Sequence, residues 1–408
     1  MFNIEENMWN DENSPKLNDP NNGLESIANA NILYNSFSKC KKDTSWKGSV
    51  QKYEMNELSN TRELQKNIRN NTYIQRPMVE FKQSERGHDR EIKAHHISDR
   101  VVQRALNDNV LMPAIEPHLI YDNGASQIGK GLDFSRRRFE NHLRNAYNEY
   151  GSDCYILFMD FSKFVTPEEL EFIKLCIREF EIDVSYMSDE EFENINNVLF
   201  NSLAYANIPK ELRSSGEKMM KKSMGIGSQT SQISGLLYPS FIDTYCKYVL
   251  SLKYYGRYMD DTYIIYPNKD FLVDILYNKI NPICDQYGIF INFEKTHIEK
   301  ITNWITYLKI NYKLIEPNGT LIRKICNETI RREQRRFNTF IKLLNQNRLD
   351  IVDIINCYRC WKYSYIKYDS GKELHKLDLL FCNKFNLPLE AIKRNIKATE
   401  LIGGINNG

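Results

Sequence analysis

The segment KYYGRYMDDTYIIY, residues 253–266, constrains this chain more than any other. Two apolar, tyrosine-rich runs flank Met259–Asp260, which reads as two strands joined by a tight turn. The turn sets Asp260 and Asp261 side by side. Another apolar run, CYILFMD at 154–160, ends on Asp160. A carboxylate closing a core strand is costly unless it meets a partner or a metal. Adjacent carboxylates at a hairpin rim, with an oxygen donor from a neighbouring strand, make a hard-cation site suited to Mg²⁺. Two such ions close together can activate an attacking hydroxyl and neutralise a leaving pyrophosphate. Asp-Asp pairs also serve as plain turn residues, so the surrounding sequence must decide between the two readings.

The chain has 408 residues, room for two or three subdomains around a sizeable core. Its 41% hydrophobic and 26% charged residues exclude a wholly disordered or fibrous chain. No apolar run approaches the ~18 residues of a membrane span, so no membrane partner is expected. The start, MFNIEENMWNDENSP, lacks the basic beginning and apolar centre of a secretory signal, and a cytoplasmic location is expected. With 55 basic and 53 acidic residues the net charge is +2, so local rather than bulk charge must mark any nucleic-acid surface. Nine scattered cysteines suit reduced thiols. The close pair, Cys357 and Cys360, lacks a second pair of zinc ligands and reads as a buried helical pair.

Along the chain, residues 1–24 are polar and read as a flexible tail. Residues 25–72 turn helical, and 73–150 mix short strands with helices. Residues 151–312 alternate strands and helices. Pro167 opens an expected helix, and 227–252 reads as one long amphipathic helix after the glycine-bearing turn GIGS. A short strand is expected in GIFINFEKT (288–296) and a strand pair in NWITYLKINYKL (303–314). Residues 313–396 are mainly helical and basic. Between 321 and 366 there are ten Lys or Arg against four Asp or Glu. Residues 397–408 form a final tail.

YMDD between apolar strands resembles the signature of reverse transcriptases. MDFSKF (159–164) is similar to their first catalytic motif, GIGSQTSQ (225–232) to their turn-and-helix motif, and INFEKT (291–296) to the later lysine motif. REIKAHHISDRVVQRAL (90–106) and YDNGASQIGKG (121–131) resemble the finger motifs. The motifs run in the family's order across roughly 76–310. An aliphatic residue before Gly227, and Ser231-Gln232 in place of Ser-Pro, looks like the reverse transcriptases of diversity-generating retroelements, where the Gln variant is linked to misincorporation opposite template adenine. Related prophage and antiphage-defence enzymes share these features.

The resemblance implies an α+β right hand: a 25–72 helical extension, fingers at 73–150, a palm at 151–312 and a helical thumb at 313–396. It implies RNA-directed DNA synthesis from deoxynucleotides with two Mg²⁺ ions, for which Mn²⁺ can substitute. Asp160, Asp260 and Asp261, with the backbone oxygen of Phe161, would hold the metal. Lys295 would approach the leaving pyrophosphate; otherwise it is a surface lysine ending a strand. Arg90, and less so Arg86 and Lys93, would grip the triphosphate, the other reading being ordinary strand charge facing water, and Gly227 and Gln232 would face the template–nucleotide pair. Arg100 and Arg104 read equally as salt-bridged structure or template contacts. Lys130 sits on a glycine loop suited to phosphates, and Tyr258 would line the nucleic-acid path. Arg331, Arg332, Arg335 and Arg336 repel one another at helical spacing unless something anionic lies opposite, which favours a bound duplex.

Two positions depart from the family. The residue that blocks the ribose 2′-hydroxyl is usually aromatic, whereas here it is Val165, after Phe164. In TYLKI (306–310), Lys309 stands where relatives carry Gly. The implied partners are a structured template RNA, the cDNA product and deoxynucleotides, with a small accessory protein or self-association in the diversification reading. The rivals are a defence reverse transcriptase copying a noncoding RNA, primed by protein or RNA, and a nucleic-acid-binding scaffold without chemistry.

Overall fold

The computed structural model of the chain describes residues 25–42, 44–85, 88–162, 229–286 and 289–393. Both expected tails and the helix expected at Pro167 fall outside them. Helices and sheets mix throughout, as the α+β class requires. The first helices are α1 (Glu25–Ala28), α2 (Ala30–Lys41), α3 (Gly48–Met55) and α4 (Glu57–Arg69). The hairpin of β1 (Val79–Glu85) and β2 (His88–Ala94) follows, antiparallel with Val79 opposite Ala94. Next come α5 (Ile97–Leu106), α6 (Leu132–Tyr150) and β3 (Tyr155–Ser162). After the undescribed stretch stand α7 (Gln229–Leu237), α8 (Ser240–Thr244), β4 (Tyr254–Tyr258), β5 (Asp261–Tyr266) and α9 (Lys269–Ile275). Strands β6 (Phe290–Ile291), β7 (His297–Lys300), β8 (Ile305–Tyr307), β9 (Ile310–Ile315) and β10 (Thr320–Ile325) precede α10 (Asn327–Asn345), α11 (Ile351–Tyr365) and α12 (Gly371–Phe385).

The chain divides into two units, each discontinuous in sequence, so neither coincides with a consecutive segment. Unit 1 comprises Met1–Ser135, Leu157–Ile264 and Asp270–His297; unit 2 comprises Arg136–Ile156, Ile265–Lys269 and Ile298–Gly408.

In unit 1 the apolar residues of the N-terminal helices recur at helical spacing and share one core. Leu33 and Phe37 of α2, Leu64 and Ile68 of α4, Val101 and Ala105 of α5, and Ile233 and Leu237 of α7 are all buried there. Tyr258 and Met259, at the tip of the β4–β5 hairpin, pack against the same core. The strands align as β4-β5-β3-β6. Phe161 of β3 faces Ile291 of β6 in antiparallel register. Gly256 on β4 has no side chain for a local reason: an added Cβ would lie 2.6 Å from the hydroxyl of Tyr263, a buried residue of β5.

Unit 2 holds a three-stranded sheet, β10-β9-β8, whose middle strand alternates buried Ile310, Tyr312 and Leu314 with less buried residues. Leu308 and Lys309 join β8 to β9 with φ of 45° and 67°, the left-handed pair that a two-residue hairpin favours. The Arg136 guanidinium braces that turn, donating from Nη2 to the Leu308 carbonyl at 2.6 Å. Phe337 of α10, Ile354 and Tyr358 of α11, and Leu377 and Phe381 of α12 form the helical core. Asp350 caps α11, accepting from the Asp353 amide at 2.7 Å.

Several expectations change. The helix expected over 227–252 ends at Leu237, and α8 begins at Ser240. Pro239 explains the break: it lacks an amide donor and disfavours helical backbone at Tyr238. The strand expected in 288–296 is only Phe290–Ile291. Cys357 and Cys360 do share a helix, but they are not buried: Cys360 is exposed and Cys357 half-buried, both as free thiols. Among the described residues no helix is long and apolar enough to cross a membrane.

Candidate active site

The hairpin of β4 and β5 leaves two central residues, Met259 and Asp260. Met259 adopts φ +52°, the left-handed geometry that such a tight turn demands of a central position. The turn backbone is tied to the end of β3, because the Phe161 amide donates to the Asp260 carbonyl at 3.2 Å. Asp160 therefore comes to the turn from β3, and its carbonyl accepts from the Asn292 amide at 2.8 Å.

Asp160 is half-buried. Lys295 follows β6 in the turn Asn292–Thr296, and its ammonium donates to both Asp160 carboxylate oxygens, at 3.1 and 3.3 Å. Asp260 keeps a solvent-accessible carboxyl, yet the chain packed around it displaces much of its water. That desolvation, and then the neighbouring Asp160 carboxylate, raise its pKa above the ordinary range, while Arg257 and Lys295 act the other way. Two neighbouring carboxylates, the first held by Lys295, therefore stand at one turn. This suits a hard cation that takes one or two protein carboxylates and completes its shell with phosphate and water. Asp261 opens β5 and is exposed. Among the described residues no group of three or more His, Cys, Asp or Glu converges to hold a metal ion. Asp160 and Asp260 are near enough to interact electrostatically, with the Phe161 amide tying the turn to the end of β3.

A buried network lies beneath the turn. Arg257 of β4 and Asp243 of α8 are both completely buried and pair at 2.8 Å. Tyr255 donates to Asp243 at 2.5 Å, and the Asn123 amide group donates to it at 3.3 Å. Asn123 belongs to the YDNGASQIGKG loop, which also meets β4 through its backbone: the Gly124 amide donates to the Arg257 carbonyl at 3.2 Å. Lys247 pairs with Asp122 of the same loop at 2.9 Å. Sequence reading missed Arg257, Asp243, Asn123 and Lys247. The signal was an arginine within the otherwise apolar YYGRYM, which a buried strand tolerates only with a partner.

The other expected residues divide into groups. Phe161 is buried beside the turn, and Tyr258 is half-buried against the helical core. Gln232 is exposed on α7. Arg104 pairs with Asp108 at 2.8 Å and Arg100 donates to the Cys40 carbonyl at 3.3 Å, which favours structural roles for both. Lys130 turns inward, donating to the Tyr121 and Asn123 carbonyls at 3.1 Å. Burial lowers its pKa. Its ammonium holds the glycine loop together. Arg331, Arg332, Arg335 and Arg336 are all exposed on α10. Arg331 and Arg335 line an open cavity of about 400 Å³ with Lys384, Gln334, Asn338 and Leu380. Arg336 instead lies over Phe340 and 3.6 Å from Glu333. Arg86, Phe164, Val165 and Gly227 lie outside the described residues, and for Arg90 and Lys93 only the backbone, in β2, is described.

No protein-family model matches the chain, and no curated protein matches it. Among solved structures it matches apo telomerase from Candida tropicalis, at a TM-score of 0.41 and 14% identity. The match covers 59% of this chain and 47% of that one, so this chain spans less than half of that structure. A likeness so slight fixes neither fold nor function.

Proposed function

We propose that this chain is an RNA-directed DNA polymerase of the reverse-transcriptase type. The meeting of Asp160 with Asp260 carries the reading: a strand-end aspartate and a YMDD turn are drawn together, with a lysine on the first carboxylate. In this reading β1–β2 belongs to fingers over 73–150, the β4-β5-β3-β6 sheet to a palm over 151–312, and α10–α12 to a thumb over 313–396. Asp160 and Asp260, with Asp261 and the Phe161 carbonyl, would hold Mg²⁺. When bound, Mg²⁺ favours ionisation of the primer hydroxyl and neutralises charge on the phosphates. Lys295 would release Asp160 to that cation and stabilise the departing pyrophosphate by its charge. Gln232, exposed on α7, would face the nascent pair.

The reading extends to a retroelement of the diversity-generating type, copying a dedicated structured RNA. Its support is Ser231-Gln232 in the helix-opening motif. The test is primer extension on an RNA template with deoxynucleotides and Mg²⁺, followed by sequencing of the product. Wild type should extend the primer with errors concentrated at template adenines. Asp260→Ala/Asp261→Ala should lose at least about a thousandfold in rate, since those carboxylates act on developing charge. Extension by that variant at the wild-type rate would overturn the polymerase reading, and evenly spread errors would overturn the diversification reading.

A further inference from the structure

We propose that Arg257 is a positioning residue that sets the aspartate turn and helix α7 in one fixed register, through a guanidinium fork anchored on Asp243. The proposal rests on the polymerase reading for its catalytic consequence, though not for its geometry.

Arg257 lies two residues before Met259 and is completely buried. Its donors go in three directions. Nε donates to both Asp243 oxygens, at 2.8 and 2.9 Å, and Nη2 donates to Oδ2 at 2.8 Å. Nη2 also donates to the Leu236 carbonyl, in the last turn of α7, at 2.8 Å. Nη1 donates to the Met259 carbonyl at 3.2 Å. That last carbonyl belongs to the peptide bond entering Asp260. Met259 holds a left-handed φ of 52°, so the orientation of this peptide is not the backbone's own preference and needs support. The fork supplies it from inside the core.

The same fork grips the helix on which Gln232 is exposed, one turn upstream of Leu236. One rigid planar group therefore spans the metal-facing turn and the nucleotide-facing helix. Asp243 is the anchor: it orients the fork and neutralises it, and Tyr255 and Asn123 fill its remaining acceptor sites. A lysine could keep the charge, but a single ammonium cannot reach carboxylate, turn and helix together.

Two variants of the full chain separate positioning from mere packing. Arg257→Lys removes the fork. Tyr255→Phe removes a bond to Asp243 in the same buried network yet leaves every Arg257 contact. Two quantities are read: hydrogen exchange of the Phe161 amide, which donates to the Asp260 carbonyl, and kcat with KM for deoxynucleotide on an RNA template. In Arg257→Lys the amide should exchange at least about tenfold faster and kcat should fall about a hundredfold with KM nearly unchanged, the mark of misplaced reacting groups. In Tyr255→Phe both should stay within about threefold of wild type. Should Arg257→Lys fail to fold by circular dichroism, Arg257→Gln with Asp243→Asn, which leaves no unpaired buried charge, replaces it under the same expectations. The proposal falls if the fork variant keeps wild-type exchange and kcat, or if Tyr255→Phe matches its losses. If the wild-type chain makes no Asp260-dependent DNA, the polymerase reading fails, and the exchange measurement alone still decides whether Arg257 holds the turn.

Discussion

Lys295 grips Asp160 by both oxygens, and those are the oxygens a bound Mg²⁺ would need. The ammonium and the metal therefore compete for one carboxylate, while the proposed chemistry needs both cations. Removing the lysine should separate the two effects. In Lys295→Ala the Mg²⁺ concentration giving half-maximal primer extension should fall, because Asp160 is freed. The maximal rate should fall by about ten- to a hundredfold, because a charge facing the leaving group is lost. A magnesium titration of both proteins measures both numbers, and a rise in the half-maximal concentration would show that the ion pair is no competitor. At this scale Asp160, Asp260 and Lys295 were singled out in the sequence by their place at strand ends together with the resemblance of MDFSKF, YMDD and INFEKT to one motif set. Arg257 was not, because a single basic residue in an apolar run says only that some partner exists. Asp243, fourteen positions earlier in a different element, could be found only by folding the chain.

Elements were legible where one local rule governed them. Hairpin β4–β5 follows from apolar runs around a two-residue turn, and α10 from its arginine spacing. Where two rules competed the reading slipped, as at Pro239, whose backbone constraint overrode the helical pattern running through it. Helix α5 shows how burial hides chemistry. Asp99, in its first turn, is buried, accepting from the Tyr73 hydroxyl at 2.9 Å and the Arg76 amide at 3.3 Å. Burial outweighs those bonds and raises its pKa from 3.8 to about 6. A carboxyl whose folded pKa is raised contributes stability that is full below its unfolded value and is lost as pH climbs through the folded one. His95 nearby acts oppositely: burial lowers it to about 4, so its contribution is lost as pH falls from 6.5. Replacing Asp99 by Asn leaves the histidine effect alone. Between pH 4 and 7, wild type should lose about 2 kcal/mol relative to Asp99→Asn. Denaturant unfolding of both proteins at several pH values measures this, and a constant difference would mean that Asp99 does not titrate in that window.

For the whole molecule the net charge of +2 hides where charge is placed. Unit 2 gathers Arg331, Arg335 and Lys384 around one open cavity, with Gln334 and Asn338 as further polar groups and no acid among the described residues that line it. Lys384 is held to Asn338 at 2.7 Å, so one of the three cations is already oriented by its surroundings. The sequence singled out four arginines on α10 without ranking them; the fold ranks them, because α12 supplies Lys384 to the face of Arg331 and Arg335, whereas Arg336 is committed to Phe340 and Glu333. A row of cations meeting an anionic backbone releases condensed counterions, so each phosphate contact adds about one unit to the salt slope of binding. Arg331→Ala/Arg335→Ala should therefore weaken binding of an RNA–DNA duplex and flatten the dependence of log K on log salt by about two units. Arg336→Ala should leave that slope within about half a unit of wild type. Affinities taken across a salt series give all three slopes. Equal flattening by both variants would place the backbone along the whole arginine face of α10, and no flattening by either would remove unit 2 from the nucleic-acid path.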